Sequence, residues 1–282
     1  GSKEKMSVIK KFDPWESTFC TCPKKYTLNP YTGCSHRCVY CYITSYIPNA
    51  FNLRLKSNIL NRVKKDAEKI DNKHYISLSN SSDPYPPEER KYLITRRILE
   101  IFSSFGLRTL IVTKSDLVLR DIDLLNNLSC SVSLSVTSLD NRISKKLEPG
   151  APLPKERVSA LKALSREGIR CSVRLDPIIP GINDKAISNI IDAVSDSCEH
   201  LVASTVKFRK DGYQRFTRAF PSIKLEFEGI FHNSYYLKQN LRLELLQKVK
   251  DKCEQYGITF ASCREGFPEL SNSICDGSQL IG

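Results

Sequence analysis

A chain of 282 residues can form one large α/β domain. Its 43 Lys and Arg against 31 Asp and Glu leave a formal net charge of +12, which suits a polyanionic partner such as nucleic acid and equally a basic surface that serves solubility. No apolar run approaches the ~20 residues of a membrane span, and eleven cysteines, an odd number, argue against a secreted disulfide framework, so the expected location is cytoplasmic.

Residues 1–24 read as an N-terminal extension that carries Cys20 and Cys22; within it Gly1-Ser2 looks like a cloning remnant and Met6 like a native start. A core domain is expected over 25–262, then a tail, 263–282, that carries Cys263 and Cys275 and would be loose without an anchor. In the core, short β-branched or apolar runs alternate with helical patterns, which is the mark of a parallel sheet built from βα units. Strands are expected over 25–28, 75–79, 109–113, 131–136, 171–176, 201–206 and 258–261. One helix opens at Pro86-Pro87-Glu88-Glu89, because proline tolerates the first turn and acids suit its positive end, and Gly106 closes it. Another covers 155–167, and the last covers 241–256 with Leu241, Leu245, Leu246 and Val249 on one face. In such folds ligands bind at the C-terminal ends of the strands.

The loop after the first strand holds Cys34, Cys38 and Cys41 at C-x3-C-x2-C spacing. Three thiolates can hold three irons of a [4Fe–4S] cluster and leave the fourth iron open to a non-protein ligand. The alternatives are buried structural thiols and a zinc site, which needs a fourth ligand, with His36 as the other candidate nearby. At later strand ends stand Ser82 and Asp83, then Lys114, then Ser133, Ser135 and Thr137 on one strand face, then Arg174 and Asp176. Hydroxyls and a lysine there suit a ligand's ammonium and carboxylate, whereas helix capping and solvated strand ends are the ordinary uses. Cys20, Cys22, Cys263 and Cys275 would converge where the first and last strands of a barrel approach, as an auxiliary [4Fe–4S] cluster or a structural zinc, or stay unrelated thiols. Cys130, Cys171, Cys198 and Cys253 fit as buried fillers. Segment 207–220 interleaves Lys207, Arg209, Lys210, Arg215 and Arg218 with Phe208, Tyr213, Phe216 and Phe220. That pattern suits phosphate neutralisation with ring stacking on bases, and equally core aromatics beneath a charged face.

The cysteine loop resembles the signature of radical S-adenosylmethionine (SAM) enzymes. With Ser82-Asp83-Pro84-Tyr85, Thr113-Lys114-Ser115, Leu147-Glu148-Pro149-Gly150 and the run from Asp176-Pro177 to Asn183-Asp184, the chain resembles the spore photoproduct lyase-related, DNA repair photolyase-like family from about Cys20 onward. The resemblance implies a partial parallel (β/α)6-type TIM barrel and a [4Fe–4S] cluster on Cys34, Cys38 and Cys41 whose open iron is chelated by SAM. It further implies reductive cleavage of SAM to a 5′-deoxyadenosyl radical that acts on a nucleic-acid base or nucleotide, and a reductive electron donor as partner. Tyr40 would lie against the adenine, Ser82, Lys114 and Ser135 would contact SAM, and Tyr42 with Tyr40 would relay a radical; Asp83 and Arg174 join the expected cofactor residues by their strand-end positions. True spore photoproduct lyases place a hydrogen-donating cysteine two residues before the SAM-contacting serine. This chain has Asn80 there, and an amide does not deliver a hydrogen atom as a thiol does. A peptide or small-metabolite substrate, and a nonenzymatic iron–sulfur or zinc protein that binds nucleic acid, are the alternative readings.

Overall fold

Parallel strands need a crossover, and the helical segments supply it. In a computed structural model, which describes residues 7–12 and 17–282, seven parallel strands follow one another in sequence order: β1 Tyr26–Leu28, β2 Ile76–Leu78, β3 Thr109–Thr113, β4 Cys130–Ser135, β5 Cys171–Ile178, β6 His200–Thr205 and β7 Thr259–Ser262. Gly1, Ser2, Met6 and residues 13–16 of the expected extension lie outside the described residues. Lys10–Lys11 pairs antiparallel with β1, and β7 ends the other side of the ladder, so the barrel is partial and open.

The helices α1 Ile59–Ala67, α2 Ile94–Ser104, α3 Pro154–Arg166, α4 Ile187–Val194, α5 Lys210–Ala219 and α6 Gln239–Gln255 include the crossovers. All but α5 bury apolar stripes, among them Val63, Phe102, Leu161, Ile190 and Leu246, against outward strand residues such as Leu78, Ile111, Leu134, Val173 and Leu201. The helix expected from Pro86 to Gly106 is interrupted. Leu93 adopts φ 56° between a short turn, Glu89–Tyr92, and α2. The cause is Glu89, which is fully buried and accepts from the Thr95 amide at 2.7 Å, so its carboxylate caps the positive end of α2.

Side chains alternate across each strand, so with the apolar set turned to the helices the other set faces the barrel interior. That inner set includes Ser131, Ser133 and Ser135 on β4, Ser172 and Arg174 on β5, and His200, Val202 and Ser204 on β6. The C-terminal tail, expected to be loose without an anchor, fills this interior. Asn272 first pairs with both backbone groups of Phe260 beside β7, at 2.7 and 2.9 Å. The chain then turns inward: the Cys275 carbonyl meets His200 Nε2 at 3.2 Å, and Asp276 takes the Lys25 ammonium at 2.9 Å and the Tyr75 hydroxyl. Gly277 passes so close to β5 and β6 that a Cβ would lie 3.1 Å from both Ser172 Oγ and His200 Cδ2. Ile281 ends against Tyr75 and Leu110. Ile281→Ala is therefore expected to cost about 2 kcal/mol or more in urea unfolding; unchanged stability would contradict this placement of the tail.

Candidate active site

The cysteine loop follows β1 and is held from three sides. The amide of Cys34 donates to Ala50 at 2.8 Å, Ser82 Oγ donates to the Gly33 carbonyl at 2.5 Å, and Asn29 Oδ1 accepts the amides of Asn80 and Ser81 at 3.1 and 3.0 Å. From the second side comes Leu147-Glu148-Pro149-Gly150. Val39 donates to the Leu147 carbonyl at 2.9 Å and Gly150 to the His36 carbonyl at 2.8 Å. At Gly150 a Cβ would stand 2.2 Å from the Ser35 carbonyl oxygen, so only glycine allows this approach. From the third side, Arg215 of α5 donates to the carbonyls of Cys41 at 2.6 Å and Val39 at 3.3 Å and to Thr44 Oγ1 at 2.8 Å.

Within this frame Cys34, Cys38 and Cys41 act on one another electrostatically, and Lys114 acts on all three. Burial pushes the Cys34 thiol up to about 12 and raises Cys38 and Cys41 as well. Thiols placed this way ionise when a metal supplies the positive charge. Three thiols without a fourth in the same loop suit a [4Fe–4S] cluster with one open iron. In the barrel interior the hydroxyls of Ser133 and Ser172, side by side on β4 and β5, and of Ser131 one step nearer the N-terminal ends are buried without a hydrogen-bond partner. The interior thus retains unused polar groups, and the residues fit a polar cofactor.

The expected cofactor residues divide into two groups. Lys114, Tyr40 and Glu148 meet: the Lys114 ammonium lies 5.9 Å from the Tyr40 ring centre, and the Tyr40 hydroxyl donates to Glu148. Burial opposes the Glu148 charge, yet Arg157 at 2.9 Å and Lys114 hold its carboxyl down to about 2. Ser82 is half-buried and Ser135 is buried, both at strand ends. Asp83 instead serves the frame. Its buried carboxylate accepts from Thr113 Oγ1 at 2.6 Å and from the amides of Lys114 and Tyr85 at 2.9 and 2.8 Å, with His36 Nδ1 at 3.4 Å. These bonds fasten β2 to β3 and leave Asp83 little capacity for a ligand. Arg174 bonds Asp176 at 3.2 Å and acts on Cys22, Cys263 and Cys275, so it faces the second cysteine group. Tyr42 is 38% exposed, and its hydroxyl donates to the Asn80 carbonyl at 2.7 Å. The Asn80 amide is itself spent on Thr27 Oγ1 at 3.0 Å.

Segment 207–220 requires a correction. Its rings do not stand free for base stacking: Phe208 and Phe216 are fully buried, Phe220 nearly so, and Tyr213 packs among them. Lys207 is paired with buried Glu265, and Arg215 holds the cysteine loop. Alternating charge and aromatics here describe an amphipathic helix on its own core. Sequence reasoning missed Arg157, Arg215 and the His36–Asp83 pair. Each stands among polar or charged neighbours, so no local pattern singles it out.

An open parallel barrel with a three-thiol loop at its strand ends defines a class of cluster-dependent enzyme. A model of the radical SAM superfamily matches residues 28–194, and the chain belongs to that superfamily. It is thus a radical SAM enzyme, of a family that uses a [4Fe–4S] cluster and SAM, and the nonenzymatic alternative falls away. An uncharacterised protein of Methanocaldococcus jannaschii is 31% identical over 220 residues, 77% of this chain and 76% of that protein. A radical SAM Nalpha-GlyT isomerase of Pseudomonas phage M6 is 26% identical over 260 residues, 84% of this chain and 53% of that protein. Spore photoproduct lyase complexed with dinucleoside spore photoproduct shares the fold, with a TM-score of 0.67 at 17% identity over 84% of this chain and 76% of that one. Streptococcus suis SuiB bound to precursor peptide SuiA has a TM-score of 0.58 at 16% identity over 86% and 50%. No helix among the described residues is long and apolar enough to cross a membrane.

Gly150→Ala should push the loop away from its support. After anaerobic reconstitution this variant is expected to keep its circular dichroism but bind less than about half the iron of the parent; full iron binding would show that the close approach is dispensable.

Proposed function

We propose that Cys34, Cys38 and Cys41 hold the cluster and that SAM lies between it and the strand ends of β2 to β5. When bound, the cluster supplies the electron for reductive cleavage of SAM and hence for hydrogen-atom abstraction from a substrate. The observation that carries this reading is the meeting of Lys114, Tyr40 and the cysteine loop over an interior with unpartnered serines. Lys114 offers its ammonium to the SAM carboxylate; burial disfavours that charge, but Cys38 and Glu148 sustain it. Ser82 and Ser135 offer hydroxyls, and Tyr40, fixed by Glu148, offers a ring face to the adenine. Asp83 orients this group by holding the Lys114 amide and Thr113 Oγ1.

The proposed substrate is a base or nucleotide in nucleic acid. Support comes from the net charge of +12, from the dinucleoside ligand of the fold relative, and from an open cleft beside the loop lined by Thr44, Ser45, Arg209, Lys210, Asp211 and Gln214. With Asn80 in place of a donor thiol, Tyr42 is the group we assign to hydrogen-atom or radical transfer, because its phenol is partly exposed beside Asn80. A peptide substrate is the second reading, favoured by the peptide-bound fold relative.

Lys114→Ala and Ser82→Ala are each expected to weaken SAM binding to the reconstituted protein about tenfold or more, equivalent to about 1.4 kcal/mol; unchanged affinity would remove these contacts. Oligonucleotides deuterated on their bases should pass deuterium into 5′-deoxyadenosine in the wild type, and Tyr42→Phe should retain that transfer while losing product. Transfer from labelled peptides alone would put the second reading first.

A further inference from the structure

The barrel is not closed by strand pairing, and the gap between β1 and β7 is where both ends of the chain meet. Cys22 arrives just before β1, Cys263 directly follows β7, and Cys275 returns with the tail. Cys22 and Cys263 pack against one buried group, Val202, Ala261 and Cys275. The Cys263 amide is fixed to the Ala203 carbonyl at 2.9 Å, and Cys275 Sγ lies 3.8 Å from the Ser262 carbonyl. Cys20 completes the set: Cys22 accepts side-chain hydrogen bonds from Cys20 and Cys275, and Cys275 also contacts Cys263.

The setting is cationic. Lys25 Nζ stands 3.8 Å from Cys22 Sγ, and Arg174 and Arg264 act electrostatically on the same thiols. Asp276 and Asp176 already pair with Lys25 and Arg174, and the same cations are close enough to balance the dianion that a divalent metal or a [4Fe–4S] cluster makes with four thiolates. As the side chains stand, the thiols bond to one another, and no group of three His, Cys, Asp or Glu among the described residues surrounds a single-ion site. Loading would rotate the sulfurs inward, release the thiol protons and replace S–H···S contacts with metal–sulfur bonds.

We propose that Cys20, Cys22, Cys263 and Cys275 form a second metal centre, a thiolate-bound iron–sulfur cluster or zinc, that staples the N-terminal segment and the tail across the open side of the barrel. This centre is separate from the cluster site of Cys34, Cys38 and Cys41, so its test removes that site. A Cys34→Ser/Cys38→Ser/Cys41→Ser variant, purified anaerobically, is expected to retain about four irons with sulfide, or about one zinc, per chain. Adding Cys22→Ser/Cys275→Ser should abolish that metal. If the triple variant does not fold, the reconstituted wild type decides: about eight irons, or about four irons and one zinc, supports the centre. About four irons alone, with Cys20, Cys22, Cys263 and Cys275 all alkylated by iodoacetamide or joined as disulfides, overturns it.

Discussion

Ser131, Ser133, Ser172, Arg174 and His200 face the inside of a barrel, where each polar group left without a partner costs about 1–3 kcal/mol. The rest of the molecule answers that constraint. Toward the N-terminal ends of the strands the tail supplies the partners: the Cys275 carbonyl for His200, and Asp276 for Lys25 and Tyr75. Even so, Ser131, Ser133 and Ser172 keep hydroxyls without a hydrogen-bond partner, and toward the C-terminal ends the polar lining continues in Ser135 and Thr137. A barrel filled from below and polar above is one that accepts a polar cofactor at its mouth.

The mouth is preorganised by charge as much as by packing. Glu148 and Arg157 form a buried pair at 2.9 Å, and removing one partner of such a pair typically costs about 3–5 kcal/mol. The same carboxylate fixes Tyr40 and supports Lys114, so one interaction links the cysteine loop to the ends of β3 and β4. Arg215 adds a brace from outside through the carbonyls of Val39 and Cys41. Positions that would surround SAM are thereby set before any ligand arrives, which limits the reorganisation that binding requires.

Much of this was legible in the sequence. All seven parallel strands fall within about two residues of their expected ends, because β-branched runs between glycine-terminated helices leave few alternatives. The cysteine loop was legible from spacing alone. What local pattern could not supply was partnership at long range. Glu89 caps a helix that begins five residues later, and so breaks an apparently continuous one. The charged residues of segment 207–220 read as a binding surface, but Lys207 and Arg215 have partners 58 and more than 170 residues away. The tail's anchor was not legible either, because the groups that receive it, His200 on β6 and Tyr75 just before β2, are distant in sequence.

The central claim is that the three-thiol loop and the polar mouth together cleave SAM. The most direct measurement is anaerobic reconstitution, with iron and sulfide analysis followed by a dithionite assay for 5′-deoxyadenosine. The account predicts a filled [4Fe–4S] site and 5′-deoxyadenosine formation that is lost when Cys34, Cys38 and Cys41 are changed to serine. A protein that binds the cluster and SAM under reducing conditions yet forms no 5′-deoxyadenosine would contradict it.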